Sequence, residues 1–288
     1  MGYFKTGILM VGLVLIFMFV GNALGGVEGM KIAFFAACGM NFFSYFFSDS
    51  LVLKHYQAKE VNNNNAPQLY QIVQRLANNA KLPMPKVYVV PEDVPNAFAT
   101  GRNPAHAAVA VTQGLLKILS PQEIEGVLAH EMSHVRHHDI LISSVAAVFA
   151  GAIAMLGQVA QRGAATNNQQ SNGRNSSGGG LGLILSTVLM PIAASIVQMS
   201  ISRTREFAAD EGAARLTKHP EWLMAALSKL EEYAKQYRLQ KATSQTAHMF
   251  IINPFSGVKQ NFSSLFSTHP STEDRLKRLA ALQREIQG

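Results

Sequence analysis

Cysteine is almost absent from this chain, which contains only Cys38 among its 288 residues. One thiol cannot form an intramolecular disulfide, and it cannot supply the paired cysteines of a structural zinc site. The scarcity fits a reducing compartment for the folded part of the chain. It also excludes a metal site based on cysteine.

Charged residues are scarce too, at 15% of the chain against about a quarter in an average soluble domain. Hydrophobic residues make up 48%, and the mean hydropathy is +0.10. The formal net charge is +7, yet the chain lacks a dense run of lysine and arginine with interleaved aromatic residues. We therefore expect no nucleic-acid partner. We expect a lipid bilayer, whose anionic headgroups the positive excess faces.

Four apolar runs are long enough to cross a bilayer as helices, which takes about 20 residues each. They cover 7–26, 30–47, 140–160 and 181–201. A cleaved signal peptide is the alternative for the first run, but its length and the run that follows at once favour an uncleaved hairpin that turns at 27–29. The second pair is rich in alanine, glycine and serine, which suits close helix packing in a bilayer. A buried soluble hairpin is the alternative there.

The other stretches predict a soluble unit of mixed secondary structure. We expect helices over 67–80, 202–219, 221–238 and 271–287, strands over 86–90 and 107–112, and a strand or loop over 96–101. The predicted fold class is therefore a membrane α-helical protein plus an α+β domain. Four transmembrane helices accompany a mainly helical domain that carries a small β-sheet.

This pattern divides the chain into four parts. Residues 1–47 form an N-terminal transmembrane hairpin, and 48–139 form the first part of a soluble domain. Residues 140–201 form a second hairpin, with an exposed loop over 161–180, and 202–288 complete the domain. Most lysines and arginines near the span ends lie on the side of the soluble parts. The positive-inside rule therefore places the domain and both termini in the cytoplasm.

A His-Glu-x-x-His motif, His130 to His134, lies near the end of the first soluble part. On a helix, histidines four residues apart share one face, where both imidazoles can bind one metal ion. Glu131 lies near enough to act as a general base on a water, and too far round the helix to be a ligand. The motif predicts one zinc ion per chain and a hydrolase.

A capped helix is predicted around this motif. Ser120 is placed as the N-cap, Pro121 in the first turn and Glu123 at the capping-box position. Apolar residues at helical spacing follow. Because chance matches to the motif need not lie on a helix, this context strengthens the zinc interpretation.

A third protein ligand is needed to complete a zinc site. The candidates are His137, His138, Glu206, Glu211, His219, His248 and His269. Glu206 is preferred because Asp210 lies one turn later, where it can accept a hydrogen bond from a ligating imidazole, with His130 favoured. A salt bridge between Glu206 and a nearby arginine is the alternative. His137 and His138 are expected to continue the helix and to point away from the metal.

Combined with the His-Glu-x-x-His motif, the stretch from Ser202 to Asp210 resembles the HtpX family of membrane-bound zinc proteases. The likeness extends to residues 41–45, 95–101 and 266–270. It implies a gluzincin-type catalytic domain at the cytoplasmic face of the bacterial inner membrane. It also implies a role in stress response and membrane quality control, with unfolded or misfolded membrane proteins as substrates.

The resemblance implies roles for further residues. His269 and Arg275 would steady the tetrahedral intermediate of peptide hydrolysis, because positive groups there stabilise charge that develops in the transition state. A helix-cap loop and a surface arginine are the alternatives. The segment Asn96, Ala97, Phe98 and Ala99 is similar to the edge strand on which such proteases bind the substrate backbone. His106 and His248 also lie in contexts similar to the family, without an assigned role.

Three functions fit these observations. The first is a zinc endopeptidase, in which His130, His134 and Glu206 hold the ion and Glu131 is the general base. The second is a membrane-anchored chaperone or scaffold that binds zinc without catalysis. The third is a protease whose metal lies within the bilayer. The charged residues on both sides of the motif favour a site beside the membrane instead.

Overall fold

A computed structural model describes residues 2–146, 203–236 and 270–287. Its helices are α1 Gly2–His55, α2 Pro67–Ala80, α3 Gln113–Ile118, α4 Pro121–Arg136, α5 Arg203–Thr217, α6 Pro220–Gln236 and α7 Thr272–Gln287. Its strands are β1 Lys59–Val61, β2 Lys86–Val90, β3 Ala97–Gly101 and β4 Ala107–Thr112. A 3₁₀ turn, Pro104–His106, precedes β4, and residues 140–146 are helical. The mainly helical architecture with a small mixed sheet is confirmed.

The first helix is a hairpin of two limbs. Gly25 and Gly26 leave the helical conformation, and Gly26 has a φ of 59°, which favours glycine. The limbs then run past each other so closely that a Cβ on Gly21 would lie 2.5 Å from the carbonyl oxygen of Gly29. The turn therefore lies at Gly25–Gly26 rather than at 27–29, because these glycines allow the reversal.

The prediction of four transmembrane helices is not confirmed. Among the described residues one helix, Gly25–His55, is long and apolar enough to cross a bilayer, and the apolar part of the first limb, Thr6–Phe19, is shorter. The second limb continues to His55, beyond the predicted end at 47. The third predicted span is described only as far as 146, and the fourth lies outside the described residues, as does the loop over 161–180.

The four strands form one mixed sheet in the order β1-β2-β4-β3. The central pair, β2 and β4, is parallel, and both outer strands are antiparallel to their neighbours. All six residues of β4 are buried, as expected for a strand covered on both faces. β3 lies at an edge of the sheet, with Ala99 opposite Val109. Among the described residues, β3 therefore pairs with one strand only.

Helix α4 lies at the centre of the soluble domain and contacts α2, α5, α6 and β3. Its apolar side chains, Val127, Leu128 and Met132 among them, are fully buried in the main core. The predicted capping box is confirmed. Ser120 Oγ accepts a hydrogen bond from Glu123 N, and Glu123 Oε2 accepts one from Ser120 N at 2.7 Å. These contacts fix where α4 begins and so orient its motif.

Gly126 lets α6 approach the backbone of α4. A Cβ built there would lie 2.7 Å from the backbone nitrogen of Leu223. We expect Gly126→Ala to lower the melting temperature of the metal-free protein in detergent. The clash costs about 1–3 kcal/mol, which exceeds the roughly 1 kcal/mol that alanine adds through helix propensity.

Gly39→Ala is the matched control, because a Cβ at Gly39 meets nothing within 4 Å. It gains the helix propensity without the clash, so its melting temperature should stay level or rise. Equal melting temperatures for the two variants would contradict the proposed close packing of α4 on α6.

Candidate metal centre

Three side chains from two helices converge on one point. His130 and His134 of α4 bring their Nε2 atoms within 3.2 Å of each other. Glu206 of α5 places one carboxylate oxygen 3.5 Å from His130 Nε2 and the other 3.6 Å from His134 Nε2. Within the described part of the chain, these residues form the group whose ligand atoms all lie close enough to share a metal ion.

The spacing of these atoms fits a zinc ion. Ligands about 2.0–2.1 Å from a tetrahedral centre lie about 3.3–3.4 Å from each other. The two nitrogens lie 3.2 Å apart, and each lies 3.5 or 3.6 Å from a different oxygen of Glu206, which is close to this span. Two imidazoles and one carboxylate are also a donor set that zinc prefers in hydrolases.

Close packing of α5 on α4 brings Glu206 to the histidines. Gly212 of α5 faces Ser133 of α4, and a Cβ at Gly212 would lie 2.4 Å from Ser133 Oγ. The carboxylate of Glu206 is nearly buried and faces both imidazoles. Glu206, preferred for its spacing from Asp210, thus lies beside both histidines.

Asp210 contacts His130 on the side of the ring that faces away from Glu206. Its Oδ1 lies 2.9 Å from His130 Nδ1, so His130 presents Nε2 to the metal position. Burial alone would lower the pKa of His130, but hydrogen bonds to Asp210 and Glu206 outweigh it and raise that pKa to about 9. In the metal-free protein at neutral pH, the His130 ring is therefore protonated on both nitrogens and positively charged.

Arg275 of α7 is fully buried and holds Asp210 with two hydrogen bonds. Its Nη2 lies 2.6 Å from Oδ1, and its Nε lies 2.8 Å from Oδ2. Burial alone would raise the pKa of Asp210, but the charge and hydrogen bonds of Arg275, together with those of His130, outweigh it and lower that pKa to about 2. The alternative of a surface arginine is wrong, because α7 inserts this side chain into the core. Its role in the transition state stays a prediction.

The proposed general base contacts the edge of the sheet. Glu131 Oε2 accepts a hydrogen bond of 3.0 Å from the backbone nitrogen of Ala99 in β3. The start of β3 is fixed by Asn96, whose backbone N–H donates to Thr112 Oγ1 at 2.8 Å and whose carbonyl accepts from Thr112 N. The predicted substrate-binding strand and the predicted base thus lie side by side.

The other predicted strand residues have different environments. Ala97 is buried in the main core, and Phe98 is buried against Val52 and Val90. Ala99 is half-buried and borders both the core and the metal helix. Substrate binding by residues 96–99 would therefore use the backbone rather than these side chains.

Two of the other candidate ligands, Glu211 and His219, lie away from this group. Glu211 pairs with Arg215, and His219 pairs with Glu221, both at the surface. The candidates His248 and His269 lie outside the described residues. His106, which has no assigned role, is exposed and forms a hydrogen bond with Asn103.

The predicted helical position of His137 and His138 is wrong. α4 ends at Arg136, His137 is its C-cap, and His138 has a φ of 59°. This turn brings Asp139, which the sequence analysis did not select, to within 3.4 Å of His134 Nδ1. The sequence signal for Asp139 is weak, since it consists only of being the first acidic residue after the motif.

Residues 63–283 match the family model described as Peptidase family M48. The chain belongs to peptidase family M48. It is 64% identical to the Protease HtpX homolog of Campylobacter hominis over 282 residues, which cover 98% of this chain and 99% of that protein. It is 53% identical to the Protease HtpX homolog of a Sulfurovum species, with 98% of this chain and all of that protein covered. The resemblance to the HtpX family is thus confirmed, and the M48 family implies a metalloprotease.

A solved structure shares the fold. The crystal structure of S. mikatae Ste24p aligns with a TM-score of 0.54 and 17% sequence identity, over 93% of this chain. This chain spans 62% of the length of that structure. At this identity the likeness concerns the arrangement of helices and strands alone.

Zinc binding should release a proton from His130. The pKa of about 9 lies above the ordinary 6.5, so zinc must displace this proton at neutral pH. We expect the zinc association constant to rise about tenfold per pH unit between pH 7 and 8.5. Calorimetry in two buffers of different ionisation enthalpy should find about one released proton. Affinity independent of pH would contradict the protonated state of His130. In Asp210→Asn the zinc association constant should depend less steeply on pH, because the main group that raises the pKa of His130 is lost.

Removing the guanidinium of Arg275 should destabilise the metal-free protein. Arg275→Met leaves the buried Asp210 carboxylate without its two hydrogen bonds, which costs about 3–5 kcal/mol. Thermal unfolding in detergent should show a clear fall in melting temperature. Arg284→Met, at an exposed position of the same helix, should change stability by less than about 0.5 kcal/mol. A melting temperature for Arg275→Met like that of Arg284→Met would contradict the buried ion pair.

Proposed function

We propose that this protein is a zinc-dependent endopeptidase of the bacterial inner membrane. It hydrolyses peptide bonds in unfolded or misfolded membrane proteins as part of quality control under stress. One zinc ion is held by His130, His134 and Glu206, and the catalytic domain and both termini lie in the cytoplasm. The observation that carries this proposal is the convergence of three zinc-type ligands beside a carboxylate, Glu131, that touches an open strand edge.

The zinc ion and the protein side chains would supply different parts of the reaction. Bound zinc would polarise the scissile carbonyl and lower the pKa of a water molecule. Glu131 takes the proton of the attacking water and passes it to the leaving amine. The hydrogen bond from Ala99 N orients one carboxylate oxygen of Glu131, so the base is fixed relative to the strand beside it.

The free edge of β3 is suited to an extended substrate backbone. Ala99 N donates to Glu131 rather than to β4, so the backbone groups of Ala99 face away from the sheet. Because alternate residues of a strand share a direction, the backbone groups of Ala97 face the same way. A peptide that adds to this edge by β-augmentation would lie beside the general base.

The proposed mechanism includes Arg275 because of its position and His269 because of the family resemblance. Arg275 Nη2 lies 3.4 Å from His130 Nδ1, so its positive charge acts on the site from behind the ligand. We assign it to the stabilisation of charge in the transition state through this position. His269 is assigned the same task from the resemblance, one residue before the described range that begins at 270.

The exposed surface of α1 supports a membrane location. Its limbs expose large apolar side chains, with Phe4, Phe19, Ile32 and Phe35 each at least 70% exposed. A soluble monomer rarely exposes a continuous apolar surface of this kind, because water disfavours it. α1 also contacts β3. The strand edge therefore lies next to the proposed membrane anchor, where a misfolded membrane segment would be accessible.

Charged residues around α4 support a site beside the bilayer rather than within it. Glu125 of α4 pairs with Arg75, and Glu123 pairs with Lys229. The two basic side chains are 56% and 47% exposed. Exposed ammonium and guanidinium groups are costly in hydrocarbon, so the metal helix is suited to water.

The central test compares the enzyme with Glu131→Gln, each loaded with zinc and purified in detergent. We expect wild-type protein to cleave an unfolded protein substrate, and the variant to lose about 10²–10⁴-fold in rate while retaining one zinc per chain, because only the base is lost. Glu211→Gln, an exposed carboxylate on α5, is the matched control and should cleave normally.

The possible outcomes separate the candidate functions. Equal cleavage by wild-type protein and Glu131→Gln would contradict Glu131 as the base and would indicate a contaminating protease. Zinc bound in both proteins, without cleavage of any unfolded membrane protein, would favour the non-catalytic zinc scaffold.

A further inference from the structure

The turn after α4 returns a carboxylate to the metal helix. The Asp139 backbone N–H donates to the carbonyl of His134 at 2.9 Å, and the left-handed conformation of His138 makes this reversal possible. The Asp139 side chain is largely buried, with a relative exposure of 10%. Its Oδ2 lies 3.4 Å from His134 Nδ1.

Asp139 also contacts the helix that carries the third ligand. Its Oδ1 lies 3.6 Å from Nη1 of Arg205, and the side chains of both residues are largely buried. Arg205 precedes Glu206 directly on α5. Asp139 therefore connects the end of the metal helix to the residue beside the carboxylate ligand.

The arrangement around Asp139 is similar to that on the other histidine, with a longer ion pair in place of the two short hydrogen bonds between Arg275 and Asp210. Arg275 holds Asp210, which lies 2.9 Å from His130 Nδ1. In both cases a carboxylate lies at Nδ1 and a guanidinium from a different helix lies behind the carboxylate. A carboxylate at Nδ1 keeps the proton on that nitrogen, which leaves the Nε2 lone pair for the metal.

We propose that Asp139 is a positioning residue for the ligand His134, and that Arg205 holds Asp139 in place. The inference rests on the proposed zinc function, because it assigns the support of a zinc ligand. Asp139 does not reach the reacting atoms. It fixes the orientation and tautomer of the imidazole that does the binding.

The position of Asp139 supports this assignment. Its carboxylate lies between His134 Nδ1 and the guanidinium of Arg205, and the side chains of all three residues are largely buried. Because unbalanced charge is costly in a buried site, replacing this carboxylate with a neutral amide should weaken the binding of a cation such as zinc.

The distances predict the relative size of the effect. The contact of Asp139 with His134, at 3.4 Å, is longer than the 2.9 Å contact of Asp210 with His130. Loss of such a supporting group typically weakens metal binding about 10–100-fold. We expect Asp139→Asn near the lower end, about tenfold, and Asp210→Asn near the upper end.

The test measures zinc affinity of the full chain in detergent by competition with a chromophoric chelator, together with thermal unfolding of each metal-free protein. We expect Asp139→Asn to bind zinc about tenfold more weakly. Its metal-free melting temperature should fall less than that of Arg275→Met, because the 3.6 Å contact with Arg205 is longer than the 2.6 and 2.8 Å hydrogen bonds between Arg275 and Asp210. Arg205→Met should show a smaller loss, and Arg205→Lys should restore part of it. The double variant should lose less than the sum of both, because the residues act through one contact.

Glu211→Gln is the matched control, because it removes a carboxylate from an exposed ion pair with Arg215 on α5. It should bind zinc like the wild type. Wild-type affinity in Asp139→Asn would overturn the inference, as would a fall in melting temperature with unchanged zinc affinity. If Asp139→Asn does not fold, wild-type zinc affinity in Arg205→Met has the same meaning. Failure of the wild-type protein to bind zinc would instead overturn the proposed function.

Discussion

The buried ion pair between Arg275 and Asp210 is the interaction on which the rest of the site depends. It joins three helices: α7 supplies the guanidinium, α5 the carboxylate, and α4 the imidazole of His130 that the carboxylate contacts. A buried charge pair is tolerated only with close to full hydrogen bonding, and Asp210 meets this condition on both oxygens. The last helix of the chain is thus part of the metal site.

Much of this site was readable from sequence, because its signals are local. The spacing of His130 and His134, the capping box of α4 and the one-turn spacing of Glu206 and Asp210 all follow from helix geometry. The longer helices of the soluble domain and the two central strands were likewise predicted, whereas α3 and β1 were not. The four membrane spans were predicted from the length and apolarity of four runs, and the described residues contain one helix that meets this criterion.

The remaining features depend on how distant segments pack, which local patterns do not encode. The contact of Asp139 with His134 requires a left-handed backbone conformation at His138. Residues other than glycine rarely adopt this conformation. The hydrogen bond from Ala99 to Glu131 requires the strand order that leaves β3 at an edge. The resemblance assigned a role to Arg275, but its burial depends on how α7 docks, and periodicity alone predicts only a basic residue of an amphipathic helix.

The most direct measurement for the central claim is zinc K-edge X-ray absorption on the purified full chain with one equivalent of zinc. We expect two imidazole nitrogens and at least one carboxylate oxygen around the ion, from His130, His134 and Glu206, and no sulfur. Replacing Glu206 with Gln should change the oxygen contribution and leave the imidazole signal. A sulfur neighbour, or a spectrum without imidazole scattering, would contradict the site and with it the proposed protease.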